Sequence, residues 1–144
     1  MKMSMEMYQQ KVNRWMKTAP KGLKTALTKG AVEIVGHTQK SRLSGPKMPR
    51  GTSGGFSGST LQPHTNRLRG SVTKNIDVSS DRVLARIIAG TNLSYAAIHE
   101  YGGTTGRNHS VKMPERPYLR PSVEEKRSRV LDLVGDAYID SYGK

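Results

Sequence analysis

The sequence predicts an α+β domain: helices from both ends of the chain packed on a small antiparallel sheet, with one long flexible loop. Three observations carry this. Apolar residues recur at spacings of three and four near both ends of the chain, the period of a helix packed along one face. A central stretch from Val72 to Ala89 holds strand-type residues on either side of a polar turn. Between the first helical region and that stretch lies a run too rich in Gly, Pro and Ser to form either element. The 144 residues suit one domain. Its expected parts are N-terminal helices (1–43), a basic loop (44–66), a hairpin, short helix and extended segment (67–121), and a C-terminal helix (122–144).

Met5, Tyr8, Val12, Trp15 and Met16 would share one face of a first helix, which Pro20 and Gly22 are expected to interrupt. Leu23, Ala26, Leu27, Ala31, Ile34 and Val35 continue the pattern as a second helix. Thr18 is its expected cap, and Pro20 falls in its first turn, where a missing N–H is harmless. That helix should end near Leu43, ahead of Gly45-Pro46. Residues 44–66 contain five Gly, three Pro, four Ser and no acid, a loop composition with little to bury. Residues 69–78 read as a strand with Val72, Ile76 and Val78 on one parity, against Lys74 as an exception. Ser79-Ser80-Asp81 makes the turn, and Val83 to Ala89 is the return strand. Tyr95 to Tyr101 is a short helix stopped by Gly102-Gly103. Residues 104–110 are polar loop, and Pro114 and Pro117 force an extended path from Val111 to Leu119. Ser122 followed by Glu125 forms a capping box for the last helix.

Charge is the strongest bulk signal. The net charge is +13, and residues 1–80 hold 14 Lys/Arg against 3 Asp/Glu, whereas residues 81–144 hold 10 against 8. Such asymmetry points to a polyanion beside the first half, DNA above all, unless it is simply a solvated basic surface. Lys40, Arg42, Lys47, Arg50, Arg67 and Arg69 are the candidate DNA-channel or partner contacts, because residues 37–70 contain these six bases and no acid. The absence of Cys removes disulfides, thiolate metal sites and a thiol nucleophile. No apolar run reaches the length of a membrane span, so no membrane role is expected. The first ten residues lack the apolar core of a secretion signal.

Little in the chain points to catalysis. His99-Glu100 opens like a zinc motif, but position 103 is Gly where a second His would stand. No Ser lies in a GxSxG setting, and the GTSGGFSGS run lacks the Lys of a phosphate-binding loop. No catalytic residue, metal or cofactor is expected. The recognised sequence-specific nucleic-acid modules are missing too, which leaves contact with backbone phosphate.

Three short patterns occur in order: Asn66-Arg67-Leu68-Arg69-Gly70-Ser71-Val72, then Tyr95-Ala96-Ala97-Ile98-His99-Glu100-Tyr101-Gly102, then Met113-Pro114-Glu115-Arg116-Pro117-Tyr118-Leu119-Arg120-Pro121. Over residues 66–135 this order resembles the lambdoid tail-completion and head–tail joining proteins of tailed bacteriophages. Glu115 stands where that family often has Ala, and Tyr118 where it often has Phe. The resemblance implies a non-enzymatic structural protein of the virion neck or tail, acting as a homomeric ring, hexameric or dodecameric, around the DNA channel. It implies neighbours of the head-completion or adaptor kind and of the tail-terminator or tail-tube kind, and assembly in the host cytoplasm. Tyr95, Ile98, Glu100, Tyr101, Gly102, Arg116, Pro117, Tyr118, Leu119 and Pro121 are then the candidate motif for holding the fold or contacting a neighbouring subunit. Tyr95, Ala97, Ile98 and Tyr101 would seat the short helix on the sheet, and Arg116 and Arg120 would pair with carboxylates such as Glu100. Two alternatives stand beside this: a basic nonspecific DNA-binding or DNA-processing protein, and a tail-terminator or tail-tube subunit.

Overall fold

The structure is a computed structural model that describes residues 4–45, 61, 66–79 and 82–143. It is an α+β fold. Helix α1 (Met5–His37) and helix α4 (Leu119–Gly143) lie antiparallel along each other. The pairing runs from Trp15 edge-on to Tyr138, through Gly30 against Val130, to His37 beside Glu125. The hairpin β1 (Thr73–Val78) and β2 (Val83–Ile88) packs on α1, with Thr73 opposite Ile88 and Val78 opposite Val83. Helices α2 (Arg67–Ser71) and α3 (Ser94–Tyr101) flank that hairpin. A second hairpin, β3 (Gly103–Thr105) and β4 (Val111–Met113), leads towards α4.

The first region is one helix, not two. Ser4 caps it, its hydroxyl accepting from the Met7 amide, and the helix runs unbroken through Pro20. Proline inside a helix costs a hydrogen bond and about 3 kcal/mol. Both halves of α1 nevertheless lie on the same partner: Trp15 meets Tyr138 before the proline, and Gly22 and Gly30 meet Ala137 and Val130 after it. Tertiary packing therefore overrides the local break. Thr18 is no cap; its hydroxyl donates back to the carbonyls of Arg14 and Trp15 within the helix. The C-terminal end falls as expected. A wider π turn (Thr38–Arg42) follows His37, in which the Leu43 amide donates to Thr38 O at 3.0 Å and the fully buried Thr38 hydroxyl to Ile34 O at 2.8 Å.

Three further expectations are corrected. Residues 67–71 are a helical turn, not the start of a strand, because the Ser71 hydroxyl folds back on Leu68 O and then receives the Gly90 amide at 2.8 Å. Residues 104–110 are mostly a second hairpin, whose tip places Asn108 and His109 at positive φ. Its three-residue strands are too short to show alternation in sequence. The last helix starts at Leu119, three residues before the expected cap. Ser122 lies inside it, fully buried, and donates to Tyr118 O.

The core gathers at the end of the helical pair where α1 finishes and α4 begins. Leu43, Leu61, Leu68, Val72, Ala96 and Tyr118 are buried there, with Val35, Ile87, Leu93 and Leu119 packed around them. Helix α3 enters through Ala96 rather than through the expected Ala97 and Tyr101, both exposed. Ala96 is close enough to the backbone that a Cβ on Gly90 would stand 2.1 Å from its own Cβ, and Gly90 has φ +73°. Only glycine satisfies both conditions.

Gly90→Ala should therefore cost about 1–3 kcal/mol through overpacking and a disfavoured backbone. Gly36→Ala, in a helical turn where an added Cβ meets nothing within 4 Å, should stabilise by about 0.5–1 kcal/mol. Urea midpoints of the two variants should move in opposite directions.

Candidate functional site

Two features stand at this end of the molecule: a carboxylate that organises the third sequence pattern, and a basic surface around the mouth of the long loop.

Glu100 is 5% exposed, on the same face of α3 as Ala96. One carboxylate oxygen accepts from the amides of Tyr118 (2.9 Å) and Leu119 (3.0 Å), and the other from the Arg120 amide (2.9 Å). A helix start leaves four amides without intrahelical acceptors. At α4, Glu100 takes three, and the fourth position is Pro121, which has no N–H. A carboxylate there also suits the helix dipole. This is the physical reason that Ser122 is not the cap. Arg120 closes the arrangement: Nε reaches Glu100 at 3.2 Å, Nη2 donates to Glu100 O at 2.9 Å, and the guanidinium lies over Tyr101 while reaching Glu115. The expected Arg120–Glu100 pairing is thus present.

The neighbouring motif residues are drawn in by the same contact. The Arg116 amide donates to His99 O at 2.7 Å. Gly102, at φ +71°, lets the chain pass so close to Glu115 that a Cβ would stand 3.0 Å from its amide nitrogen. Tyr118 is buried, and burial together with the Glu100 charge pushes its phenol up to about 12, so it stays neutral. Tyr95 and Ile98 are half-buried, Tyr95 edge-on to His99. Pro117 and Leu119 are half-buried beside Tyr118, while Tyr101 is exposed apart from its contact with Arg120. His99 has a buried Nδ1 with no hydrogen-bond partner among the described residues, and burial, then the Arg116 charge, lowers its pKa. Among the described residues no three of His, Cys, Asp and Glu cluster to hold a metal ion. No helix is long and apolar enough to cross a membrane.

Of the six expected phosphate contacts, Lys40 and Arg67 are exposed at this end. Arg69 is half-buried, and its carbonyl and that of Val72 receive the Gln39 side-chain amide, which ties α2 to the end of α1. Arg42 is committed: it pairs with Glu125, whose other oxygen is 2.6 Å from His37 Nε2. Lys47 and Arg50 lie outside the described residues. Sequence reasoning missed Leu61. It is buried in the core, its amide donates to Arg42 O at 2.8 Å, and its carbonyl accepts from Gly45 at 3.3 Å. Gly45 and Leu61 therefore meet at the end of α1, beside Arg42. A lone Leu in a run of Gly, Pro and Ser was the available signal.

Glu100→Ala should cost about 2–4 kcal/mol, since three amides at the start of α4 lose their acceptor, while Ser122→Ala should change stability by less than about 0.5 kcal/mol. The reverse ranking in chemical denaturation would restore Ser122 as the cap. A second expectation concerns acid. The hydrogen bond from His37 and the Arg42 charge hold the Glu125 carboxyl below its ordinary pKa, against an opposing effect of desolvation. A depressed carboxylate contributes stability that is full above its unfolded pKa and is lost as pH falls through the folded value. Glu125→Gln should therefore flatten the acid limb of stability against pH and leave that curve's shape unchanged above neutrality.

Comparison with known proteins points to a phage virion protein. The chain resembles Mu-like prophage FluMu G protein 2 of Haemophilus influenzae, 56% identical over 32 residues, a stretch that covers 22% of this chain and 23% of that protein. No solved structure gives a significant match. A model of the phage virion morphogenesis family matches residues 9–138, from the first turns of α1 almost to the end of α4. The chain belongs to the phage virion morphogenesis family.

Proposed function

We propose that the protein is a structural component of a tailed-phage virion that completes the tail end or neck and joins it to the head, as a homomeric ring around the DNA channel. It performs no catalysis in this role. The observation that carries the reading is the arrangement at one end of the fold. Gly45 and Leu61 meet there beside Arg42, Lys40 and Arg67 are exposed on the same end, and the sequence between Gly45 and Leu61 contributes Lys47 and Arg50 and no acid. A ring of such ends would line its lumen with cations. Contact with passing DNA has to be nonspecific and reversible, and side-chain ammonium and guanidinium groups on phosphate meet both needs. The Glu100 contact keeps the rest of that end fixed while the loop engages its neighbour.

Head-completion or adaptor proteins on one side, and tail-terminator or tail-tube proteins on the other, are the neighbours this role requires. The tail-tube alternative is less favoured by the strands, which span six residues in one hairpin and three in the other.

Virions carrying an epitope-tagged copy should bind antibody at the head–tail joint, and loss of the protein should leave filled heads and tails that do not join. Label spread along the tail, or normal joining without the protein, would reject the reading. The charge concentrated in residues 1–80 favours a second reading, a basic protein acting on naked DNA. Replacing Lys40, Lys47, Arg50 and Arg67 by Glu separates the two. A free DNA-binding protein should lose affinity with a shallower salt dependence, whereas a neck protein should lose joining or DNA retention while still entering the particle.

A further inference from the structure

Charge is segregated between the two long helices. Residues 7–32 of α1 hold six Lys/Arg and no acid, and residues 130–143 of α4 hold Asp132, Asp136 and Asp140 and no base. Part of this is complementary within the molecule, for Lys21 and Lys29 line one wall of the groove between the helices and Asp136 and Asp140 the other. Arg14 lines the groove as well, and Lys11 lies over the Tyr142 ring of α4; Lys17, Lys24 and Asp132 point away from it. Two residues along an α-helix is a turn of roughly 200°. Trp15 and Gly22 meet α4, so Lys17 and Lys24 occupy the opposite side of α1, and both are exposed. Val130 and Ala137 meet α1, so Asp132 and Ile139 occupy the opposite side of α4.

That outer face of α4 is unusual for a surface helix. Leu131 is 60% and Ile139 69% exposed, and between them nothing lies within 4 Å of where a Cβ on Gly135 would stand. Asp132 beside them makes no ion pair among the described residues. The face is an apolar ridge with a gap wide enough for a side chain, bordered by unneutralised negative charge. A surface that complements it in charge, and that lies on a helix of the same pair, is the Lys17 and Lys24 side of α1, on the far side of that pair.

We propose that the outer face of α4 docks on the outer face of α1 in a second copy of the chain, aspartate against lysine, with Leu131 and Ile139 seated along the lysine stems. The two faces lie on opposite sides of the pair, so the contact is head-to-tail. Contacts of that kind repeat, and they close into a ring where the rotation permits. This rests on the ring reading above and names its subunit contact.

The test is analytical ultracentrifugation of the full chain at low salt. The wild type should form concentration-dependent oligomers that salt loosens. Asp132→Lys with Gly135→Lys, and separately Lys17→Glu with Lys24→Glu, should each weaken association at least about tenfold by setting like charges together. An equimolar mixture of the two should associate again, because each then offers the other a complementary face, and a chain carrying all four changes should associate with itself. Unchanged circular dichroism shows that the variants remain folded. A wild type that stays monomeric at low salt, reversed variants that associate like the wild type, or a mixture that fails to recover would overturn the proposal. So would an effect of the lysine changes on DNA affinity alone, with none on association. The ring reading is judged separately by antibody labelling of virions: the protein found at the joint while the charge-reversed chains assemble normally would sink this interface and leave that reading standing.

Discussion

The contact on which the rest of the structure depends is the carboxylate of Glu100 at the start of α4. Four parts of the chain meet through it: the short helix that carries Glu100, the turn at Gly102, the extended segment ending at Tyr118, and the long C-terminal helix. A buried carboxylate is costly unless it is fully hydrogen-bonded, and here three backbone amides and the Arg120 side chain supply the bonds. The helix start would present unpaired amides at the edge of the core, and the carboxylate with Pro121 accounts for all of them. Each side supplies the partners the other needs, and this ties the second sequence pattern to the third.

From that point the architecture follows with few free choices. Fixing the start of α4 fixes where it crosses α1, and the crossing is close: a Cβ on Gly30 would stand 2.8 Å from Val130. The antiparallel pair then provides the surface on which the first hairpin lies, with Val83, Ala85 and Ile87 on its inner face and Asp77 paired to Arg86 on its outer one. The hairpin in turn brings Gly90 against Ala96, which seats the helix carrying Glu100. The loop of dependence is closed, which is how a chain with few large apolar residues specifies one arrangement: small residues set the approach distances, and one buried polar contact sets the register.

Much of the architecture was legible because it rests on periodicity. The two helical ends, the central hairpin and the short helix before Gly102 all show their period or their stop signal. What was not legible depended on partners distant in sequence. Pro20 reads as a break until α4 is known to lie along both halves of α1. Ser122 reads as a cap until Glu100, 22 positions earlier, is known to reach the same amides. Leu61 reads as loop because its burial depends on Leu43 and Leu68 arriving from elsewhere. Of the basic residues, composition grouped them but could not separate Arg42, held by Glu125, from Lys40 and Arg67, which are exposed.

This separation bears on how an assembly protein divides its surfaces. A contact with moving DNA has to be weak, and long cationic side chains at a loop mouth suit it because each phosphate contact is small and exchangeable. A contact between subunits of one assembly has to be durable and directional. That calls for a rigid element, and α1 and α4 are the rigid elements here, stiffened along their length by each other. Under the proposed function the two kinds of surface would fall on different parts: exposed bases at the end where the core sits, and segregated charge with an apolar ridge along the sides of the helical pair. The Glu100 contact lies in the region where the two meet. The start of α4, tied by three amides and Arg120 to Glu100, is therefore the point through which the core end is coupled to the helical pair.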